Sequence, residues 1–230
     1  VINQDVLLPT ASVVNLPNTT IITCVTEEIL LTASGGVSYT WLDEFDNALS
    51  ATNTYTVDVA GTYTAVVTAA NGCSDSLDVV ISENLVTPAM SIVNTSGSQV
   101  LTCTLQTIEL TSTGATEFEW TNSSGAVVSS IADLNVITPD TYTITGIAAN
   151  GCQDTAQIVI GQNIADPLVT ISNLVGLNTL TCSLDSIVLL AQGNGVSYSW
   201  SDSSTVLSNS ALLQVEIAGV YEVTAIGSNG

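Results

Sequence analysis

The stretch "GTYTAVVTAA" at residues 61–70 alternates with a period of two: Tyr63, Ala65, Val67 and Ala69 fall on one face, and Thr62, Thr64 and Thr68 on the other. That is the pattern of a half-buried strand, because successive side chains of an extended chain point to opposite sides. "SLDVVIS" (76–82) repeats it with Leu77, Val79 and Ile81. "EILLTASG" (28–35), "VSYTWLDE" (37–44) and "NTYTVDVA" (53–60) are equally short, rich in Thr, Val and Ile, and separated by turn residues, so they are predicted as strands too. No helical period competes. Asn71-Gly72, between the two clearest strands, predicts a tight type I′ hairpin, in which both central residues need positive φ. Cys73 then opens the last strand.

The pattern recurs on a larger scale. Cys24, Cys103 and Cys182 are spaced by 79 residues, as are Cys73 and Cys152, the tyrosines 63, 142 and 221, and the prolines 9, 88 and 167. A fixed period of this size decides the architecture. The expected fold is all-β, a tandem array of domains of about 79 residues, with repeats at 9–87, 88–166 and 167–230. "VINQDVLLP" (1–9) lines up with "VISENLVTP" (80–88), so residues 1–8 are expected to end the last strand of a preceding repeat, with Val1 and Ile2 as its tail. One period after Cys152 falls at position 231, just past the chain, and the third repeat is expected to stop before its last strand. The chain therefore reads as a window of a longer array.

About seven short strands per repeat, with Trp41 following Cys24 by 17, point to immunoglobulin-like β-sandwiches. Trp41, Trp120 and Trp200 sit in the third strand of each, alternating with Tyr39, Phe118 and Tyr198. They are expected to be core anchors and not sugar-stacking platforms, since one buried Trp per sandwich is the norm.

Charge narrows the function. The chain has 21 acidic residues and no Lys, Arg or His. Without cations there is no phosphate clamp and no basic patch, so nucleic acid and anionic membrane surfaces are poor partners. The acids are scattered, unlike those of a disordered acidic tail. No apolar run approaches the ~20 residues a membrane-spanning helix needs. The catalytic inventory is nearly empty: no His for a triad, no Lys for a Schiff base, no Arg for transition-state charge. An enzyme is not expected. Calcium is the cofactor the residues could take, through Asp43, Glu44 and Asp46 in "WLDEFDN" (41–47), hard oxygen ligands in a loop. The matching "WTNSSGA" (120–126) and "WSDSSTV" (200–206) do not preserve them, so a solvated acidic loop is the expected reading.

Five cysteines at strict repeat positions, Cys24, Cys73, Cys103, Cys152 and Cys182, suggest structural disulfides formed in an oxidising compartment. Pairing within repeats joins Cys24 to Cys73 and Cys103 to Cys152; pairing between repeats joins Cys73 to Cys103 and Cys152 to Cys182. A last strand of about ten residues places Cys73 roughly 30 Å from the junction with the next repeat. A disulfide spans Cα atoms less than ~7 Å apart, which favours pairing within repeats. Such a loop would stabilise each domain by about 4 kcal/mol on chain-entropy grounds.

"GTYTAVVTAANGCSDSLDVVIS" (61–82), "DTYTITGIAANGCQDTAQIVIGQN" (140–163) and "LTCTLQTIELTSTG" (101–114) resemble the immunoglobulin-like, PKD-like repeats of giant surface adhesins of Bacteroidota, the SprB-type gliding-motility adhesins. The resemblance covers the whole chain and rests on G-T-Y-T, N-G-C-x-D and the L-T-C lead-in. It implies export by the type IX secretion system, display as an extracellular filament attached to the outer membrane, and adhesion to surfaces during gliding. Its implied partners are neighbouring repeats and surface polysaccharides or the substratum. It also implies O-glycosylation at Asp-Ser/Thr followed by an apolar residue, which places candidates at Ser76, Thr155 and Ser186. The chain would then be a stalk. Two other readings remain: a subunit of a polymerising filament completed by a neighbour's strand, and a carbohydrate-binding accessory module of a secreted enzyme.

Overall fold

The computed structural model describes residue 2 and residues 4–230. Of the strand tail expected over residues 1–8, Val1 and Asn3 lie outside the described residues, and Ile2 and residues 4–8 form no strand.

The first unit runs β1 (Ser12–Leu16), β2 (Ile21–Thr23), β3 (Ile29–Ser34), β4 (Ser38–Leu42), β5 (Ala48–Ser50), β6 (Thr54–Val57), β7 (Gly61–Thr68) and β8 (Ser74–Asn84). One sheet has the order β1-β3-β6, and the other β2-β8-β7-β4-β5. β2 pairs with β8 in parallel, Ile21 beside Ser82 and Thr23 beside Asn84. The second unit repeats this as β9 (Ser91–Asn94), β10 (Val100–Thr102), β11 (Ile108–Thr113), β12 (Glu117–Thr121), β13 (Val127–Ser129), β14 (Asp133–Val136), β15 (Asp140–Ile147) and β16 (Gln153–Asn163). Its sheets are β14-β11-β9 and β10-β16-β15-β12-β13. The third comprises β17 (Val169–Asn173), β18 (Ile187–Gly193), β19 (Ser197–Ser201), β20 (Val206–Ser208), β21 (Leu212–Val215) and β22 (Glu222–Ile226), in sheets β17-β18-β21 and β20-β19-β22.

Each pair of sheets closes over its own apolar core. In the first unit, Ile29, Leu31 and Ala33 from one sheet meet Trp41, Ala65, Val67 and Ile81 from the other. The alternation that marked β7 is the reason: Tyr63, Ala65 and Val67 are buried while Thr62, Thr64, Val66 and Thr68 are half-exposed. Trp41, Trp120 and Trp200 are all 0% exposed, which removes them as sugar platforms and makes each the largest anchor of its core. Truncating such a residue to Ala costs about 3–5 kcal/mol.

The architecture is immunoglobulin-like, with a buried Trp on the strand expected to carry it. A second hallmark is the tyrosine at the start of β7, β15 or its equivalent in the third unit. Tyr63 donates to the Val59 carbonyl at 2.9 Å, Tyr142 to Thr138 at 2.9 Å and Tyr221 to Ile217 at 2.6 Å. This is the tyrosine corner of immunoglobulin-like domains. Two residues further on, where antibody domains place a core cysteine, stand Ala65, Ile144 and Val223. The cores are held by packing alone, and the cysteines are left for other work.

The expected type I′ hairpin is not what forms. Ala69 N donates to Cys73 O at 2.9 Å and Gly72 N to Ala69 O at 3.0 Å, a three-residue loop. Only Gly72 among its residues takes positive φ, at 82°. The turn is therefore of the type I kind with a left-handed glycine after it. Asn71 takes no positive φ, and its side-chain oxygen accepts from Cys73 N at 3.1 Å.

Candidate functional site at the unit junctions

The same contact recurs wherever a hairpin tip meets the segment leading into its own unit. Asn71 Nδ2 donates to Leu7 O at 2.9 Å and to Asp5 Oδ1 at 3.1 Å. Asn150 Nδ2 donates to Val86 O at 2.9 Å, Asn84 Oδ1 at 3.0 Å and Asn84 O at 3.1 Å. Asn229 Nδ2 donates to Ala165 O at 2.9 Å and Asn163 O at 3.3 Å. An extended connection has carbonyls with no sheet partner, and one amide side chain satisfies two of them. Beside each clamp a glycine ends the third strand: a Cβ on Gly114, at φ 112°, would overlap the Ala89 carbonyl of the incoming segment. Asp75 accepts from Ala11 N at 2.9 Å and Asp154 from Met90 N at 3.5 Å, fixing where β1 and β9 begin.

The tips also reach back to the preceding unit. Cys152 is disulfide-bonded to Cys24, with Cα atoms 5.0 Å apart and 128 residues between them in sequence. The predicted pairing within repeats is thus overturned for Cys24, and the nearest-neighbour pairing between repeats fails for Cys152. The reason lies in the direction of β8. Thr23 sits beside Asn84, the last residue of β8, while Cys73 precedes its first. Eleven residues at ~3.3 Å each keep Cys24 and Cys73 roughly 35 Å apart, at opposite ends of one unit. Cys24 faces the following unit, and the tip of that unit meets it. Around the bridge, Gly151 lies against Val25 with no room for a Cβ, and Cys152 is only 1% exposed. Thr23 Oγ1 accepts from Val25 N at 3.3 Å and Thr26 N at 3.0 Å, which shapes the loop carrying Cys24.

The second junction is built alike. Cys103 N donates to Asn229 O at 3.0 Å, and Gly230 lies against Thr104 as Gly151 lies against Val25. Cys103 and Cys182 are exposed free thiols and Cys73 is a half-buried one.

The other predicted sites are dispersed. Asp43 accepts from Phe45 N at 2.9 Å, Asn47 N at 2.8 Å and Asn47 Nδ2 at 2.9 Å. These bonds, with the Asn47 side chain foremost, hold its carboxyl below the usual aspartate range. Asn122 and Asp202 cap the equivalent loops in the same manner, so this position serves the turn between β4 and β5 and its counterparts between β12 and β13 and between β19 and β20. Asp46 N donates to the Asp43 carbonyl at 3.1 Å, and Asp46 takes positive φ, 63°. Among the described residues no three Cys, Asp or Glu side chains are grouped to hold a metal. Ser76 and Thr155 are exposed on β8 and β16, and Ser186 is half-exposed just before β18.

In the third unit a groove of about 430 Å³ lies between Ile187, Leu189, Val215 and Tyr221. In the second unit Ile160 of β16 fills the matching position.

No protein-family model matches the chain, and no curated protein does. Among solved structures it is similar to a Ca2+-stabilized adhesin that helps an Antarctic bacterium reach out and bind ice, at 14% identity and a TM-score of 0.52, over 94% of this chain and 67% of that one. It is also similar to part of a 1.5-MDa bacterial ice-binding adhesin, at 13% identity and a TM-score of 0.48, over 94% of this chain and 88% of that one. A third match is the three N-terminal domains of the outer capsid protein Hoc of bacteriophage RB49, at 14% identity and a TM-score of 0.38, over 96% and 87%. At these identities the likeness is one of fold: tandem immunoglobulin-like sandwiches. Among the described residues no helix is long and apolar enough to cross a membrane.

Proposed function

We propose that the chain is a structural stalk, the repeat region of a long extracellular cell-surface adhesin, with repeat units at 9–87, 88–166 and 167–230. The observation that carries this reading is the junction. An Asn clamp recurs with the 79-residue period, and a covalent bridge crosses from one unit to the next. Such contacts fix each sandwich to its neighbour, so length grows additively along the array. A disulfide of this kind fits an oxidising, extracellular setting. The resemblance in sequence extends the reading to type IX export, attachment as a filament at the outer membrane, and adhesion during gliding. Its partners would be neighbouring repeats and, through the Thr- and Ser-rich faces acting in many copies, surface polysaccharide or substratum. Ser76, Thr155 and Ser186 are the proposed glycan acceptors.

Immunogold labelling of intact cells with antibodies raised against the chain tests it. Label along surface filaments, with Fab fragments reducing attachment and gliding, is the expected result; label confined within cells would overturn it.

A further inference from the structure

We infer that the Cys24–Cys152 bridge is a force bypass, carrying tension past the chain from β3 to β15 so that this stretch is not drawn out under load. Tension applied to the ends of a protein follows the shortest covalent path. Here that path enters along residues 4–24, crosses the bridge, and leaves from Cys152 through β16 into the third unit. The crossing spans 5.0 Å between Cα atoms, while the backbone it short-circuits is 128 residues long. Everything from β3 to β15 hangs in that loop, including Trp41 and Trp120 and the two tyrosine corners at Tyr63 and Tyr142. Only β1, β2 and β16 lie on the loaded path in the first two units.

The position of the bridge suits this role better than a core disulfide would. A cysteine pair between facing sheets lies inside one unit and protects only the chain between its two strands. The pair seen here joins the far end of one unit to the near end of the next. It is buried at Cys152 and backed by the Asn150 clamp on Asn84 and Val86, so the load enters a junction already held in register. Its span exceeds the 79-residue period. Bridges of this span at successive junctions would overlap, and no unit between two of them would lie outside a loop. Cys103 holds the corresponding place at the second junction, its amide bonded to the docked tip at Asn229.

The inference concerns the chain itself and does not depend on what the chain is attached to. The test is to tether the chain by peptide tags at both ends, stretch it to full extension, and repeat the pull on the same molecule after adding dithiothreitol. Reduction should lengthen the fully extended chain by about 450 Å, the contour of 128 residues at ~3.5 Å each. Cys24→Ser should show the long contour from the outset, and Cys73→Ser should leave the shift on reduction unchanged. No lengthening on reduction would overturn the inference. A shift of about 170 Å would overturn it as well, because it would mark a bridge between Cys24 and Cys73.

Discussion

Removing the bridge by Cys24→Ser should lower the stability of the first two units and spare the third. Cys24 is exposed and Cys152 is buried beside Val25, so the substitution opens no cavity and leaves only a thiol in place of the disulfide. A cross-link closing 128 residues removes about 5 kcal/mol of chain entropy from the unfolded state at 25 °C. For two units unfolding together, with a joint m-value of about 4 kcal/mol per molar urea, that is a fall in midpoint of about 1.2 M. Each core contains one tryptophan, so three proteins with a single tryptophan at position 41, 120 or 200 report the units separately. With the bridge intact the first two units should unfold together; in Cys24→Ser they should separate, each at lower urea. The transition seen from Trp200 should not move, since the third unit lies outside the loop. Cys73→Ser should behave as the parent. Unmoved transitions at Trp41 and Trp120 in Cys24→Ser, or the destabilisation appearing in Cys73→Ser, would refute the reasoning.

The clamp gives a second expectation. In a Cys24→Ser background, Asn150→Ala removes the amide's hydrogen bonds to Asn84 and Val86 and the one its oxygen accepts from Cys152 N, together about 2 kcal/mol, and the buried Cys152 thiol should be alkylated about 30-fold faster; Asn71→Ala, at the other tip, should leave that rate unchanged. The loop carboxyl at Asp43 titrates below 3.8, so the stability it adds is complete above that pH and is lost as pH falls through its lower folded value. Asp43→Asn should keep the turn, as Asn122 does in the second unit, and remove this share of the acid sensitivity from the Trp41-reported transition. Adding one cysteine directly after Gly230 should create a second bridge, to Cys103, when the protein is oxidised by glutathione disulfide. Peptide mapping would show it, and the new thiol remaining free or joining Cys182 would contradict the junction geometry.

Much of the fold was legible because burial on one face imposes a two-residue alternation that survives in single strands. β3, β4, β6, β7 and β8 all stand where the alternation placed them. β2 and β5 are three residues each, too short to show a period, and β1 is bounded by an irregular segment that carries no pattern. The tyrosine corner was also within reach: Tyr63, Tyr142 and Tyr221 recur with the period at the start of a strand, and the meaning of that position is conformational. The hairpin type was misread because Asn-Gly serves both a two-residue and a three-residue loop; here Asn71 uses its side chain on Leu7 instead of adopting positive φ. The bridge was hidden for a different reason. Its span is one period plus the 49 residues from Cys24 to Cys73, and a pairing that skips past the nearer cysteines follows only once the direction of β8 is known. The signal that could have found it is the cysteine directly after Asn-Gly at two successive tips, which puts a thiol at the turn end of each unit and not in its core.

The central claim, that these units are a stretch of a long single-chain stalk, is tested most directly by the mass of the native polypeptide. Cells of the source organism would be dissolved in denaturant with reductant, and the chain detected by antibody on a gel that resolves very large proteins. The account predicts a band of hundreds of kilodaltons, since the 79-residue period would continue well past three units. A discrete band near 23.6 kDa would contradict it.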